Sequence, residues 1–371
     1  MGREEQYDVE NKSNEQRKGC YVSSLAASFI VVVFAVIVIA VGFIVYLTGT
    51  QGNFQCNCEF PGNTANGNKA GQVASTKSPP GDDCRNPNNA CGSDVLVSVH
   101  WLNRKLFRGE KLGKSCIQVL DISWVPGSTD SGRELYEQGH IPGAQFYNFS
   151  ECNGGGIGEL PERTCFVSQM RRLGVTRDTH VVLYDSVAAP NQSKMVYEFQ
   201  LYGHLRVSIL DGSIEKWTTD GYINTTDIPA NIMPGDFTLN YNPDLIMDYA
   251  GVVKAVGSND TEVVDARGRD EFSGKTQFGE LKKGHMPGAK NVEYKMLFNP
   301  DMTYKTPQEL ERMFIDGNVD LDKEMVVTCR SGVAATGLAV AAYIIGKTAP
   351  VYDMSWEEWS RLAPDSLIVI D

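Results

Sequence analysis

Positive charge is in short supply in this chain: 34 Lys and Arg stand against 46 Asp and Glu, a formal net charge of -12 over 371 residues. No basic stripe is present to neutralise phosphates, which excludes a nucleic-acid partner. Metal-site patterning is missing too. Cys56-Asn-Cys58 has no matching Cys or His cluster at zinc-finger spacing, so no structural zinc is expected there. Residues 48–94 are poor in apolar side chains and rich in Gly, Asn, Pro and Ser, the composition of a flexible stalk.

One stretch lacks charge altogether. Residues 22–50, VSSLAASFIVVVFAVIVIAVGFIVYLTGT, exceed what is needed to cross a hydrocarbon core of about 30 Å. A cleaved signal peptide competes with a retained anchor, and the long apolar run after 21 mostly polar residues favours the anchor. The expected order is a tail over 1–21, a membrane span over 22–47 and the stalk. Arg17 and Lys18 precede the span, whereas TGTQGNFQCNC after it has no Lys or Arg. That asymmetry predicts a cytoplasmic amino terminus and a single-pass type II protein with its globular part lumenal or extracellular. Sequons at Asn148, Asn191, Asn224 and Asn259 accord with that side of the membrane. In an oxidising compartment, Cys152 and Cys165, which flank CNGGGIGELPERTC, are a reasonable disulfide pair.

The remainder repeats itself. CIQVLDISW (116–124) answers TEVVDARGR (261–269), and GHIPGAQFYN (139–148) answers GHMPGAKNVE (284–293). THVVLYDS (179–186) answers KEMVVTCRS (323–331), and VSILDGSIEKW (207–217) answers APVYDMSWEEW (349–359). Asp121 to Asp265, His140 to His285, Asp185 to Cys329 and Asp211 to Asp353 are offset by 144, 145, 144 and 142 residues, so one domain is duplicated, as 95–225 and 226–371. The short runs VVLY, VSIL, EVVD and MVVT predict strands buried on both faces of a parallel sheet. PQELERMFID (307–316) and VAATGLAVAAYIIG (333–346) predict helices between them. The expected fold is α/β, two tandem domains each with a central parallel sheet flanked by helices.

Ligands bind such sheets at the carboxyl ends of the strands. Cys329 stands there, ending MVVT and opening the loop RSGVAA before a helix. Inward backbone N–H groups and the helix dipole are expected to favour thiolate and lower its pKa. A buried cysteine is otherwise usually a packing residue. The matching slot in the first copy holds Asp185, an acid that a mere packing site would not readily take, so the second copy is expected to be active and the first silent.

CRSGVAAT, the two GH[IM]PGA motifs, VVDAR and YDMSWEEW resemble the tandem-rhodanese sulfurtransferases, over about residues 95–371. The resemblance implies a persulfide mechanism needing neither metal nor organic cofactor. The Cys329 thiolate would take sulfur from a small donor and pass it to a thiol, protein thiol or cyanide, with the loop from Arg330 through Ser331, Gly332, Val333, Ala334 and Ala335 cradling the anion. Thiosulfate enzymes of the family carry Lys at the second position after the cysteine and mercaptopyruvate enzymes carry Ser. Ser331 therefore favours 3-mercaptopyruvate, while Arg330 resembles the thiosulfate type. The resemblance also implies a serine-histidine-aspartate set, matched by Ser331, His140 and, weakly, Asp130. A turn-stabilising role for His140 stays open, because His285 fills the same slot. The family's carboxylate-binding arginine is replaced at its slot by Glu271, which leaves Arg269, displaced by two positions, to reach the substrate. Arg267 is counted with the substrate-binding residues, although an ion pair with an acid near Asp265 is expected of it. A cysteine-loop phosphatase needs Cys-x5-Arg and meets Ala335. The remaining alternative is a catalytically weak pair of domains acting as an interaction module.

Overall fold

The computed structural model describes residues 95–107, 117–125, 127–128, 130–153, 158–187, 191–230 and 232–371. The expected tail, membrane span and stalk lie outside them, as does Cys56-Asn-Cys58. Among the described residues no helix is long and apolar enough to cross a membrane.

Two five-stranded parallel sheets share one strand order. The first is built from β1 (Leu96–Ser98), β2 (Ile117–Asp121), β3 (Gln145–Phe146), β4 (His180–Tyr184) and β5 (Val207–Asp211), ordered β1-β5-β4-β2-β3. The second, of β6 (Ile246–Met247), β7 (Thr261–Asp265), β8 (Lys290–Asn291), β9 (Glu324–Thr328) and β10 (Val351–Tyr352), is ordered β6-β10-β9-β7-β8. Register repeats as well: Asp121 lies opposite Tyr184 in one sheet and Asp265 opposite Thr328 in the other. The duplication read from the sequence is therefore a duplication of topology.

Helices cover both faces of each sheet. The first copy has α1 (Val99–Phe107), α2 (Ser131–Gln138), α3 (Phe149–Cys152), α4 (Arg163–Arg172), α5 (Asn191–Leu201) and α6 (Ser213–Thr219). The second has α7 (Tyr249–Val256), α8 (Arg269–Phe272), α9 (Pro307–Asp316), α10 (Val333–Ile344) and α11 (Ser355–Leu362). The expected helix over 307–316 is α9, started by a capping box between Thr306 and Glu309 with Pro307 in the first turn.

Alternation along the central strands decides which side chains meet. Met325 and Val327 of β9 point into a core shared by both copies, while Val326 packs outward with Trp356 and Trp359 of α11. In β4, Val181 and Leu183 enter the same shared core, and Val182 and Tyr184 pack outward with Trp217 of α6. Because the alternation continues past β9, Cys329 falls on the inner face and joins the shared core. α5 and α10 pack against each other between the sheets. α10 buries Ala335, Leu338, Ala341 and Ala342, as a helix apolar around most of its surface must. Gly337 is needed for that packing, since a Cβ there would lie 2.3 Å from the Tyr294 ring.

Residues 235–242 stay with the first copy. Phe237 inserts between Phe166 and Phe199, and the backbone N–H groups of Gly235 and Asn242 donate to Arg171 and Leu201 carbonyls. Cys152 and Cys165 are joined in a disulfide, as their flanking positions suggested. The sequons fare differently. Asn191 is 1 % exposed inside α5, which bars a glycan from the folded protein, and Asn148 spends its side chain capping α3. Asn259 is exposed.

Candidate active site

Cys329 leaves β9 at its carboxyl end and is held from both sides. Its backbone N–H donates to Ser355 Oγ at 3.1 Å, and Ser355 Oγ donates to the Tyr352 carbonyl at 2.6 Å. The amino terminus of α11 then takes up the carbonyls of the loop: Trp356 N–H donates to Cys329 O and Glu357 N–H to Arg330 O. Gly332 precedes α10 with φ at +81°, and a Cβ there would lie 2.2 Å from the Asp353 carbonyl oxygen, so only glycine fits. The loop thus turns tightly between two helix amino termini.

The sulfur lies at the floor of an open cleft of about 740 Å³, lined among others by Arg267, Glu271, Glu293, Tyr294, Arg330 and Ser331. Cys329 is 3 % exposed and is the free cysteine among the described residues. Burial pushes its thiol above the ordinary value, and hydrogen bonds from the backbone N–H groups of Ala335 and Ser331 offset this only in part. The expected lowering is therefore corrected. The donors do aim at the sulfur, but desolvation of a charge outweighs two neutral hydrogen bonds. Val333 and Ala334 complete the cleft wall at the start of α10.

The first copy builds the same scaffold around an acid. Asp185 N–H donates to Ser213 Oγ at 2.8 Å, the counterpart of Cys329 and Ser355. Both serines carry left-handed backbones, with φ of 57° and 48°. The cavity here is only about 60 Å³, and burial pushes the Asp185 carboxyl up to about 7 despite hydrogen bonds from Gln192 and Ser213.

The structure does not bring His140 to the sulfur. Its ring is buried in the first copy, bonded through Nδ1 to Tyr136 O and through Nε2 to Asp227 O, and stacked on Tyr136 at 4.0 Å. His285 repeats this in the second copy, stacked on Phe272 at 3.9 Å with Nδ1 on Phe272 O. The GH motif is thus a structural device in both copies. Asp130 precedes α2 and is absent from the cleft.

The arginines are likewise engaged. Arg267 forms a buried fork on Asp265, with Nη2 at 2.7 Å from Oδ2, and lies over the Trp356 ring. Arg269 Nη2 is 3.5 Å from Asp371 at the mouth of the cleft. Arg330 is held bidentately by Glu271. Ser331 has a neighbour from the other copy: a Cβ built at Gly158, on the disulfide-closed loop, would sit 3.9 Å from its Oγ.

Sequence reasoning missed Ser355 and Lys194. The first was visible as Asp-x-Ser repeated after the last strand of each copy, at 211–213 and 353–355. Lys194 gave no signal, since its partner Asp353 lies 159 residues away.

Comparison with known proteins identifies the two domains. The rhodanese-like domain family matches residues 104–220 and again 250–362. A thiosulfate sulfurtransferase of Gallus gallus is 34% identical over 276 residues, covering 73% of this chain and 94% of its own. A 3-mercaptopyruvate sulfurtransferase of Homo sapiens is 32% identical over 287 residues, covering 74% and 95%. Among solved structures, a 3-mercaptopyruvate sulfotransferase of Escherichia coli superposes with a TM-score of 0.59 at 28% identity, over 71% of this chain and 99% of its own. With two matched domains and relatives that are sulfurtransferases of both donor types, the chain belongs to the rhodanese family as a tandem pair of rhodanese-like domains.

Proposed function

We propose that the protein is a sulfurtransferase whose second domain carries a persulfide on Cys329. The observation that supports this best is the placement of that thiol: buried at the end of β9, met by the Ser331 and Ala335 N–H groups, and open to a cleft. The thiolate attacks the transferable sulfur of the donor. With 3-mercaptopyruvate the C–S bond breaks and pyruvate leaves, keeping the proton; with thiosulfate the S–S bond breaks and sulfite leaves with the electron pair. A thiol or cyanide then removes the outer sulfur and restores the thiolate. The loop N–H groups stabilise the anionic sulfur in both halves of the cycle. His140 has no part in this, because its two nitrogens are spent inside the first copy.

Ser331 supports 3-mercaptopyruvate over thiosulfate, since no lysine stands at that position to meet a dianion. The test is intact-mass detection of a 32 Da gain, one sulfur atom by elementary chemistry, after incubation with each donor. Loss of the gain in Cys329→Ser is expected; absence of any gain in the natural protein refutes the reading.

We also propose that residues 22–47 anchor the chain in a membrane, with both domains on the non-cytoplasmic side. Support comes from the charge-free run and from Arg17 and Lys18 before it. Protease protection of the domains in sealed microsomes checks it, and digestion without detergent would refute it.

A further inference from the structure

The cation closest in sequence to the reactive sulfur is already occupied. Arg330 donates through Nε to Glu271 Oε1 at 3.2 Å and through Nη2 to Oε2 at 2.5 Å. Its guanidinium carbon lies 3.6 Å from the centre of the Phe278 ring, which fixes the plane of the fork. Glu271 is 16 % exposed, so water competes weakly for its charge. Arg267 Nη1 stands 3.6 Å from Glu271 on the other side, but Arg267 is committed to Asp265. Both partners line the cleft above Cys329.

We propose that Glu271 is a specificity-determining residue that occupies the anion-binding face of Arg330. This rests on the sulfurtransferase reading for the identity of the ligand as a sulfur donor. A donor anion reaches the guanidinium only by displacing a carboxylate tethered to the same domain, which competes at high effective concentration. If Glu271 moves aside but stays within the cleft, its charge repels a dianion more than a monoanion. The arrangement therefore selects against thiosulfate more strongly than against 3-mercaptopyruvate. A fork of this kind is also lost when either half is changed, so the masking part of the effect runs through Arg330 and adds to the repulsion.

Glu271→Gln keeps the shape of the side chain and removes its charge. In the full-length protein, with cyanide as acceptor, it is expected to lower KM for thiosulfate about tenfold and for 3-mercaptopyruvate about threefold, the size of one charge-assisted contact. In an Arg330→Gln background the same change is expected to give a smaller gain, because only the repulsion from Glu271 is then relieved. An unchanged KM for both donors, or an equal gain in both backgrounds, overturns the proposal. Calorimetric titration of thiosulfate into Cys329→Ser, with and without Glu271→Gln, reads the same competition without turnover. Tighter binding is expected in the double variant, and equal binding overturns the role of Glu271. Failure of the natural protein to form a persulfide would instead count against the sulfurtransferase reading, leaving the titration to decide Glu271 on its own.

Discussion

Lys194 of α5 places Nζ 3.0 Å from Asp353 Oδ1, so a wholly buried lysine of the first domain is neutralised by an acid of the second. Asp353 is the residue whose carbonyl lies against Gly332 of the Cys329 loop. The first domain thus braces the loop that carries Cys329 in the second. Glu198, one helical turn from Lys194, is fully buried, and burial pushes it up to about 8 against the opposing pull of Lys194 and a hydrogen bond from Asn153. Lys194→Met strands Asp353 and removes a charge that favours ionised Glu198. It is expected to cost about 3 kcal/mol, the usual order for breaking a buried pair. Adding Asp353→Asn should return part of that loss. Urea midpoints of the single and double variants check this coupling, and additive losses would contradict it.

The direction of the Cys329 shift makes a kinetic statement. Burial disfavours the thiolate, so the thiol value lies above the ordinary 9.0. The reactive fraction at neutral pH is small and grows about tenfold per pH unit until that raised value is reached. Single-turnover persulfide formation is expected to be still climbing at pH 9, with donor well below saturation, where the profile reports the free protein. A plateau below pH 8 would show that desolvation is overcome in the free enzyme.

Asp185 makes the corresponding statement about stability. Its folded value, about 7, stands above the unfolded 3.8, so the folded protein resists ionising it. Nothing is lost below about pH 4; stability falls as pH rises towards 7 and levels off above. The full effect is on the order of 4 kcal/mol for a shift of this size. Asp185→Asn should therefore raise the melting temperature at pH 8 and leave it unchanged at pH 4. Equal effects at both values would assign the change to packing instead.

The repeat in the sequence carried most of the fold. Four landmarks in one register implied two like sheets, and both strand orders agree. Alternation through Met325, Val327 and Cys329 was enough to put the thiol on an inner face. What escaped were pairings between positions distant in sequence. Glu271 looked like a missing arginine, whereas in space it is the partner of Arg330, 59 residues on. His140 matched a catalytic pattern, yet its twin at His285 was the better clue, because a duplicated motif with identical stacking serves the fold. The pKa direction of Cys329 was misread for a related reason: loop N–H groups can be anticipated from a strand-loop-helix pattern, but depth of burial depends on α5 and α10 meeting between the sheets.

Gly332 is where the tightness of the loop can be tested most directly. Its φ of +81° alone would cost an alanine roughly 1–2 kcal/mol. The contact is the larger effect, because a Cβ at 2.2 Å from the Asp353 carbonyl oxygen must push the loop away from α11 or α11 away from the sheet. Either movement turns the Ser331 and Ala335 N–H groups off the sulfur. Displacements near 1 Å lower rates about 100-fold, which is the loss of persulfide formation expected for Gly332→Ala. Gly346 supplies the control: its φ is +77°, and a Cβ there meets nothing within 4 Å. Gly346→Ala should show the backbone strain alone, a small drop in melting temperature with transfer intact. Similar activity losses in both variants would mean that strain in the fold, rather than the contact with Asp353, limits the reaction.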